Sequence, residues 1–329
     1  MPPGMLVGRA GQACAARNCA RAIDLLECVV RAQPGNLPVY YLLGLCYSGT
    51  CGFSHPLICP NLAVAYLRRA LALLGEDGGI VRATILDALG SALVRGRDAS
   101  PVAAARTAIE CYREAARIYQ QCARLDDWAR TCFNLGNSLC DLSEMGGEDH
   151  CREAVFHYEE SLRVRTREKD PERHAAVLEN LGSAYRSLSG GAPGDNVKKS
   201  IRCYQRALRV YAPASHPDKS AAVENNLGNA YLSLPETDEK TKARNARRAL
   251  RHFDRALRIQ SRDKSSRAYG ITQYNRAQAN CRLTKASPGG NPKVVATCLE
   301  EALAAFQSCG DNRHLRLVRA QLDRVLRQE

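Results

Sequence analysis

The chain has 329 residues, with 47 Lys and Arg against 34 Asp and Glu, and 45% of it is hydrophobic. That apolar content excludes global disorder, and no run approaches the roughly 18 apolar residues of a membrane helix. Aromatics are scarce at 6% while Ala, Leu and Arg abound, so composition favours helix over strand.

The opening stretch, Met1 to Cys14, has no apolar secretory core, so a cytoplasmic location is expected. The 15 cysteines include no CxxC pair, and 11 of them precede residue 152, which fits reduced packing thiols such as Cys132, Cys140 and Cys203. Charge is distributed unevenly. Residues 1–164 hold 16 Arg, no Lys and 17 acids, a net of −1, whereas residues 165–329 hold 31 bases and 17 acids, a net of +14. Two readings stand: a well-solvated surface, or an acidic partner or nucleic acid held at one end.

Internal repetition organises the chain. Gly44, Gly90, Gly136, Gly182 and Gly228 follow one another at 46 residues, each after Leu, and a weaker copy places Ala277 after 49. A second marker, at Tyr66, Tyr112, Tyr158, Tyr204, Phe253 and Leu299, keeps nearly the same step. A fixed period of this size marks a solenoid whose units bury their apolar faces against neighbours. Each unit reads as two antiparallel helices: Ala222, Val223, Leu227, Ala230 and Tyr231 form one apolar stripe, and Ala246, Ala249, Leu250, Phe253, Ala256 and Leu257 the next. Second helices are expected near 20–32, 61–74, 103–121, 150–167, 198–211, 243–262 and 294–308. Gly/Pro-rich breaks at 187–196 and 284–292 fit this scheme. Mid-helix glycine costs about 1 kcal/mol against alanine, and close approach of the paired helix backbones is the expected reason for it. Residues 1–312 thus make about seven helix pairs, and 313–329 an amphipathic C-terminal capping helix.

Cys46, Cys51, His55 and Cys59 are spaced C-x4-C-x3-H-x3-C, enough ligands for a tetrahedral zinc site. A local disulfide or bare loop thiols is the other reading. No cofactor motif appears, and P-loop, HExxH and GxSxG are absent, so no catalysis is expected. His150-Cys151 reads as a helix-start histidine beside a packing thiol rather than a catalytic pair.

The residues Tyr40, Leu43-Gly44 and Tyr47, with Ala22, Leu26, Val29 and Pro34, resemble the tetratricopeptide repeat (TPR) family over nearly the whole chain. The period is longer than the family's usual unit. Phrases such as Asp127-Trp128-Ala129-Arg130 and Asn225-Asn226-Leu227-Gly228 look like the long-period arrays beside CHAT proteases, in kinesin light chains and in Leu-Gly-Asn adaptors. The resemblance implies an all-α, tetratricopeptide-like α-solenoid, a right-handed superhelix of antiparallel helix pairs whose first helices face the concave surface.

On that surface the resemblance puts Asn134, Asn180, Asn226 and Asn275 before the small residue, and Asn137 and Asn229 after it. A ladder of amides can both donate to and accept from an extended peptide, or the same amides can cap and bridge neighbouring helices. The cations that clamp a C-terminal carboxylate in related arrays are replaced here by Phe133, Ala176, Glu179 and Asn225, so such a clamp is not expected.

A basic stripe runs along the outside: Arg244, Arg248, Arg251, Arg255, Arg258 and Arg262 step by 4, 3, 4, 3 and 4, preceded 49 residues earlier by Lys199, Arg202, Arg206 and Arg209. The expected function is a noncatalytic scaffold or adaptor with a peptide or partner domain in its groove. The alternatives are a regulatory subunit of a larger protease or nuclease complex docking by the basic patch, or an RNA- or DNA-binding solenoid. No membrane partner is expected.

Overall fold

A computed structural model describes all residues except 1–2, 16–17, 50–57, 77, 97–99, 147–148, 193, 261–265, 287–290 and 328–329. The described residues form helices and no strands. Many helices begin with proline at the first position (Pro60, Pro101, Pro171, Pro217, Pro292), where its missing N–H costs nothing and its φ is already helical. Asn18, Ser100, Asp170, Asp238, Asn291 and Asp311 cap their helices by accepting a backbone N–H, and Ser100, Asp170 and Asn291 stand directly before three of these prolines.

The chain divides into two compact units, Met1–Val164 and Arg165–Glu329. The boundary coincides with the charge change: the first unit carries the net −1 and the second the net +14.

The first unit holds α1 (Pro3–Ala15), α2 (Cys19–Ala32), α3 (Leu37–Ser48), α4 (Pro60–Leu74), α5 (Gly79–Arg95), α6 (Pro101–Gln121), α7 (Leu125–Glu144) and α8 (Cys151–Val164), each packed on the next in sequence through most of the unit. The repeated glycine is explained by a side chain rather than by approaching backbones. A Cβ on Gly90 would lie 2.8 Å from Tyr112 Cε1, and one on Gly136 would lie 2.7 Å from Tyr158 Cε1. In the first copy the residue against Gly44 is Leu67, 2.5 Å from such a Cβ, not Tyr66. Tyr66 instead stacks on Tyr47 at 5.6 Å and 9°. With Leu67 as the marker, fully buried Ala70 stands three residues on, as Ala115 and Ser161 do after Tyr112 and Tyr158.

The second unit holds α9 (Pro171–Ser187), α10 (Asp195–Ala207), α11 (Pro217–Leu232), α12 (Glu239–Ile259), α13 (Ser266–Ala286), α14 (Pro292–Ser308) and α15 (Asn312–Leu326). Gly182 and Gly228 seat the rings of Tyr204 and Phe253 in the same way. The α9–α10 loop turns through Gly190, Gly191 and Gly194, all with positive φ, and Gly194 approaches Pro235 so closely that a Cβ would lie 2.7 Å from its Cδ. Ala277, Leu299, Ala302, Phe306 and Val318 share one core cluster, which covers the apolar side of α15.

The described cysteines are free thiols. Burial pushes the Cys111, Cys140 and Cys151 thiols up to about 11, so they pack as small hydrophobes. Among the described residues no helix is long and apolar enough to cross a membrane.

Candidate partner-binding face

The glycine step puts the asparagines on the first helix of each pair, and the structure gives them different neighbours. In the first unit, Tyr158 Oη donates to Asn137 Oδ1 at 2.7 Å, as Ser91 Oγ and Tyr112 Oη pair at 3.1 Å one repeat earlier. Asn134 faces the Asp87 carboxylate of α5 and favours its ionised form, and that carboxylate accepts from Thr131 Oγ1 at 2.8 Å and from Arg130 Nε at 3.3 Å. Burial is the largest influence on Asp87 and raises its carboxyl against the pull of Arg130. Both amides therefore join helices of the first unit to one another.

In the second unit, Asn275 Nδ2 of α13 donates to Asn225 Oδ1 of α11 at 3.0 Å. Asn229 occupies the place of Asn137, but the ring of its repeat, Phe253, has no hydroxyl to donate. Asn180 is half-buried on α9. One position earlier, Glu179 has its carboxyl raised by burial. An acid there disfavours a peptide carboxylate, in keeping with the missing cations.

Asn226 lines a cavity of about 210 Å³ between α11 and α13, with Asp218, Ala221, Ala222, Asn225, Gln260, Ala268, Ile271 and Thr272. The alanines and Ile271 supply apolar wall, and Thr272 Oγ1 is turned to its own helix, donating to Ala268 O at 3.0 Å. Gln260 Oε1 is buried and finds no hydrogen-bond partner among the described residues. Only Asn226 of this wall belonged to the expected ladder. Gln260 follows α12 and carries no motif, and the alanines read as ordinary packing, so the cavity appears only once α11, α12 and α13 are assembled.

The basic stripe lies on α10, the turn that follows it and α12. Lys199, Arg202, Arg206, Arg209, Arg244, Arg251, Arg255 and Arg258 are exposed. Arg248 is half-buried, its guanidinium 5.7 Å from the Tyr231 ring, and Lys199 lies 5.2 Å from the equivalent Tyr185. Arg255 reaches Glu224 at 3.8 Å, and Glu224 also holds His252 at 2.6 Å. Arg262 lies outside the described residues.

Of the cysteine–histidine cluster, Cys46 is buried in α3 and Cys59 precedes α4, while Cys51 and His55 lie outside the described residues. Among the described residues no group of three His, Cys, Asp or Glu could hold a metal.

No protein-family model matches the sequence, and no curated protein matches it. Solved structures do resemble it. The C-terminal part of a TPR repeat-containing protein from Cytophaga hutchinsonii aligns with TM-score 0.57 and 12% identity, over 91% of this chain and 95% of that one. A tetratricopeptide repeat protein from Parabacteroides merdae ATCC 43184 aligns with TM-score 0.57 and 12% identity, over 98% of each chain. The apo form of RapI aligns with TM-score 0.54 and 15% identity, over 89% of this chain and 99% of that one. At these identities the likeness shows the fold alone: the helices have the tetratricopeptide-repeat arrangement.

Proposed function

We propose that this chain of tetratricopeptide-repeat fold is a noncatalytic interaction adaptor that holds a peptide or partner domain on the face made by α11 and α13. The observation that carries the reading is the cavity beside Asn226, where apolar wall occurs together with a buried amide oxygen, Gln260 Oε1, that has no hydrogen-bond partner among the described residues. Leaving such an acceptor unpaired costs about 1–3 kcal/mol, and an N–H donor from a partner would recover it. Backbone N–H groups offer that donor in any sequence, while Ala221, Ala222 and Ile271 select a small apolar side chain beside it.

The test is a selection of binders from a random-peptide display library on the intact chain, followed by calorimetry. Ala222→Arg and Asn226→Ala should weaken the selected peptide at least about tenfold, equivalent to 1.4 kcal/mol, whereas Asn137→Ala, on the other unit, should not. Unchanged affinity in both α11 variants rules the face out.

A second reading concerns the stripe on α10 and α12, favoured by its exposed arginines in the unit that carries the whole charge excess. Here the chain would dock an acidic surface of a larger effector complex. Phosphate binding is separated from it by salt: each phosphate neutralised gives a slope of about 0.7–0.9 log units per log salt. Among the described residues of the second unit no aromatic is among the exposed large hydrophobic side chains, which disfavours base stacking as the mode of binding.

A further inference from the structure

The first unit carries a cleft of about 230 Å³ between α6, α7 and α8, walled by Trp128, Leu135 and Phe156. Phe156 is 57% exposed. It stands two residues before the buried ring Tyr158, and the same place is held by Glu110 on α6, Arg202 on α10 and Arg251 on α12, all exposed and charged. An exposed phenylalanine where three other repeats present charge is a departure from the repeat, and the chain's single tryptophan forms the wall near it. Bulky aromatics in a half-open pocket are the usual anchors of an interface.

The rim adds a sign. Arg113 takes Glu153 at 2.6 Å, and Glu160 is engaged by Arg163 at 2.9 Å. Arg117, also on the cleft, is exposed and has no acid partner among the described residues. The cleft therefore pairs an apolar floor with one uncompensated guanidinium, the polar-rimmed pattern of a docking site.

We infer that this cleft docks an acidic, apolar segment of a partner protein: a bulky side chain enters between Trp128 and Phe156, and a neighbouring carboxylate meets Arg117. The volume suits one or two side chains. The site belongs to the first unit and does not rest on the α11–α13 reading, so either can fail without the other.

Trp128 makes the test direct, because all indole emission of the chain comes from this wall. The probe is the capped peptide acetyl-Gly-Leu-Phe-Glu-Gly-amide, titrated into the full chain. Two control peptides carry Lys in place of Glu, or two Ala in place of Leu-Phe. The acidic peptide should give a saturable blue shift, and the controls none. Arg117→Glu and Phe156→Ser, both exposed positions, should each weaken it at least about tenfold with the helical circular dichroism unchanged. The inference is overturned if no saturable change occurs, if the lysine peptide binds equally, or if both variants bind as wild type. It is equally overturned if the emission shifts with chain concentration alone, which would assign the cleft to a second copy.

Discussion

The Tyr158 hydroxyl donates to Asn137 Oδ1 at 2.7 Å, and the same ring stands 2.7 Å from the point where a Cβ on Gly136 would lie. One contact admits the ring between α7 and α8, and the other holds its far end. The ring is 1% exposed, so it has no free direction in which to retreat. Gly136→Ala should therefore destabilise the chain despite an intrinsic helix gain of about 1 kcal/mol, because overpacking costs about 1–3 kcal/mol. Urea unfolding should show a net loss of about 1 kcal/mol, against a gain if propensity alone decided.

The asparagines separate by role. Asn137→Ala leaves the Tyr158 hydroxyl without that acceptor in a buried setting and should cost about 1–2 kcal/mol. Asn226→Ala, at a half-buried cavity wall, should change stability by less than about 0.5 kcal/mol. Thermal melts of the two variants compare them directly.

Acid should loosen the C-terminal helix first. Asp311 caps α15 by accepting the His314 N–H, and that bond, with His314 and Arg267 side chains beside it, lowers its carboxyl from 3.8 to about 2. A lowered carboxyl stabilises the folded state above its unfolded value, and the contribution is lost as pH falls from about 4 through 2. The protection of α15 amides against hydrogen exchange, relative to the unstructured rate at each pH, should fall in that window. Asp311→Ala should show the reduced protection already at neutral pH.

Like charges on α12 predict a stabilising change. Arg251 lies four residues from both Arg247 and Arg255, and each such pair costs a helix about 0.2–0.5 kcal/mol. Arg251→Gln should raise the melting temperature by about 1–3 °C at low salt, and by less at about 1 M salt, where the screening length falls to about 3 Å.

Much of the fold was legible because the glycine and the ring it seats are both in the sequence at a nearly constant step. Gly136 and Tyr158 could be paired by counting. Leu67 could not, because Tyr66 beside it looks more like the other markers, and only packing shows which of the two reaches Gly44. The likeness to the long-period arrays rests on the sequence alone, on the spacing and on phrases such as Asp127-Trp128-Ala129-Arg130. The site was less legible. Asparagine at one repeat position meets Asp87 in one copy, Asn225 in another and a cavity in a third, since its role depends on the residue that the first helix of the preceding pair offers. Gln260 and Phe156 carry no motif; Phe156 could have been found by aligning the repeats and asking which outward position had lost its charge.

The adaptor reading is tested most directly by amide chemical-shift mapping of the ¹⁵N-labelled chain with a display-selected peptide. Shifts are expected to centre on Ala221, Ala222, Asn226, Ala268 and Ile271 and to be lost in Ala222→Arg. A footprint confined to α10 and α12, or one that survives Ala222→Arg, would contradict that reading.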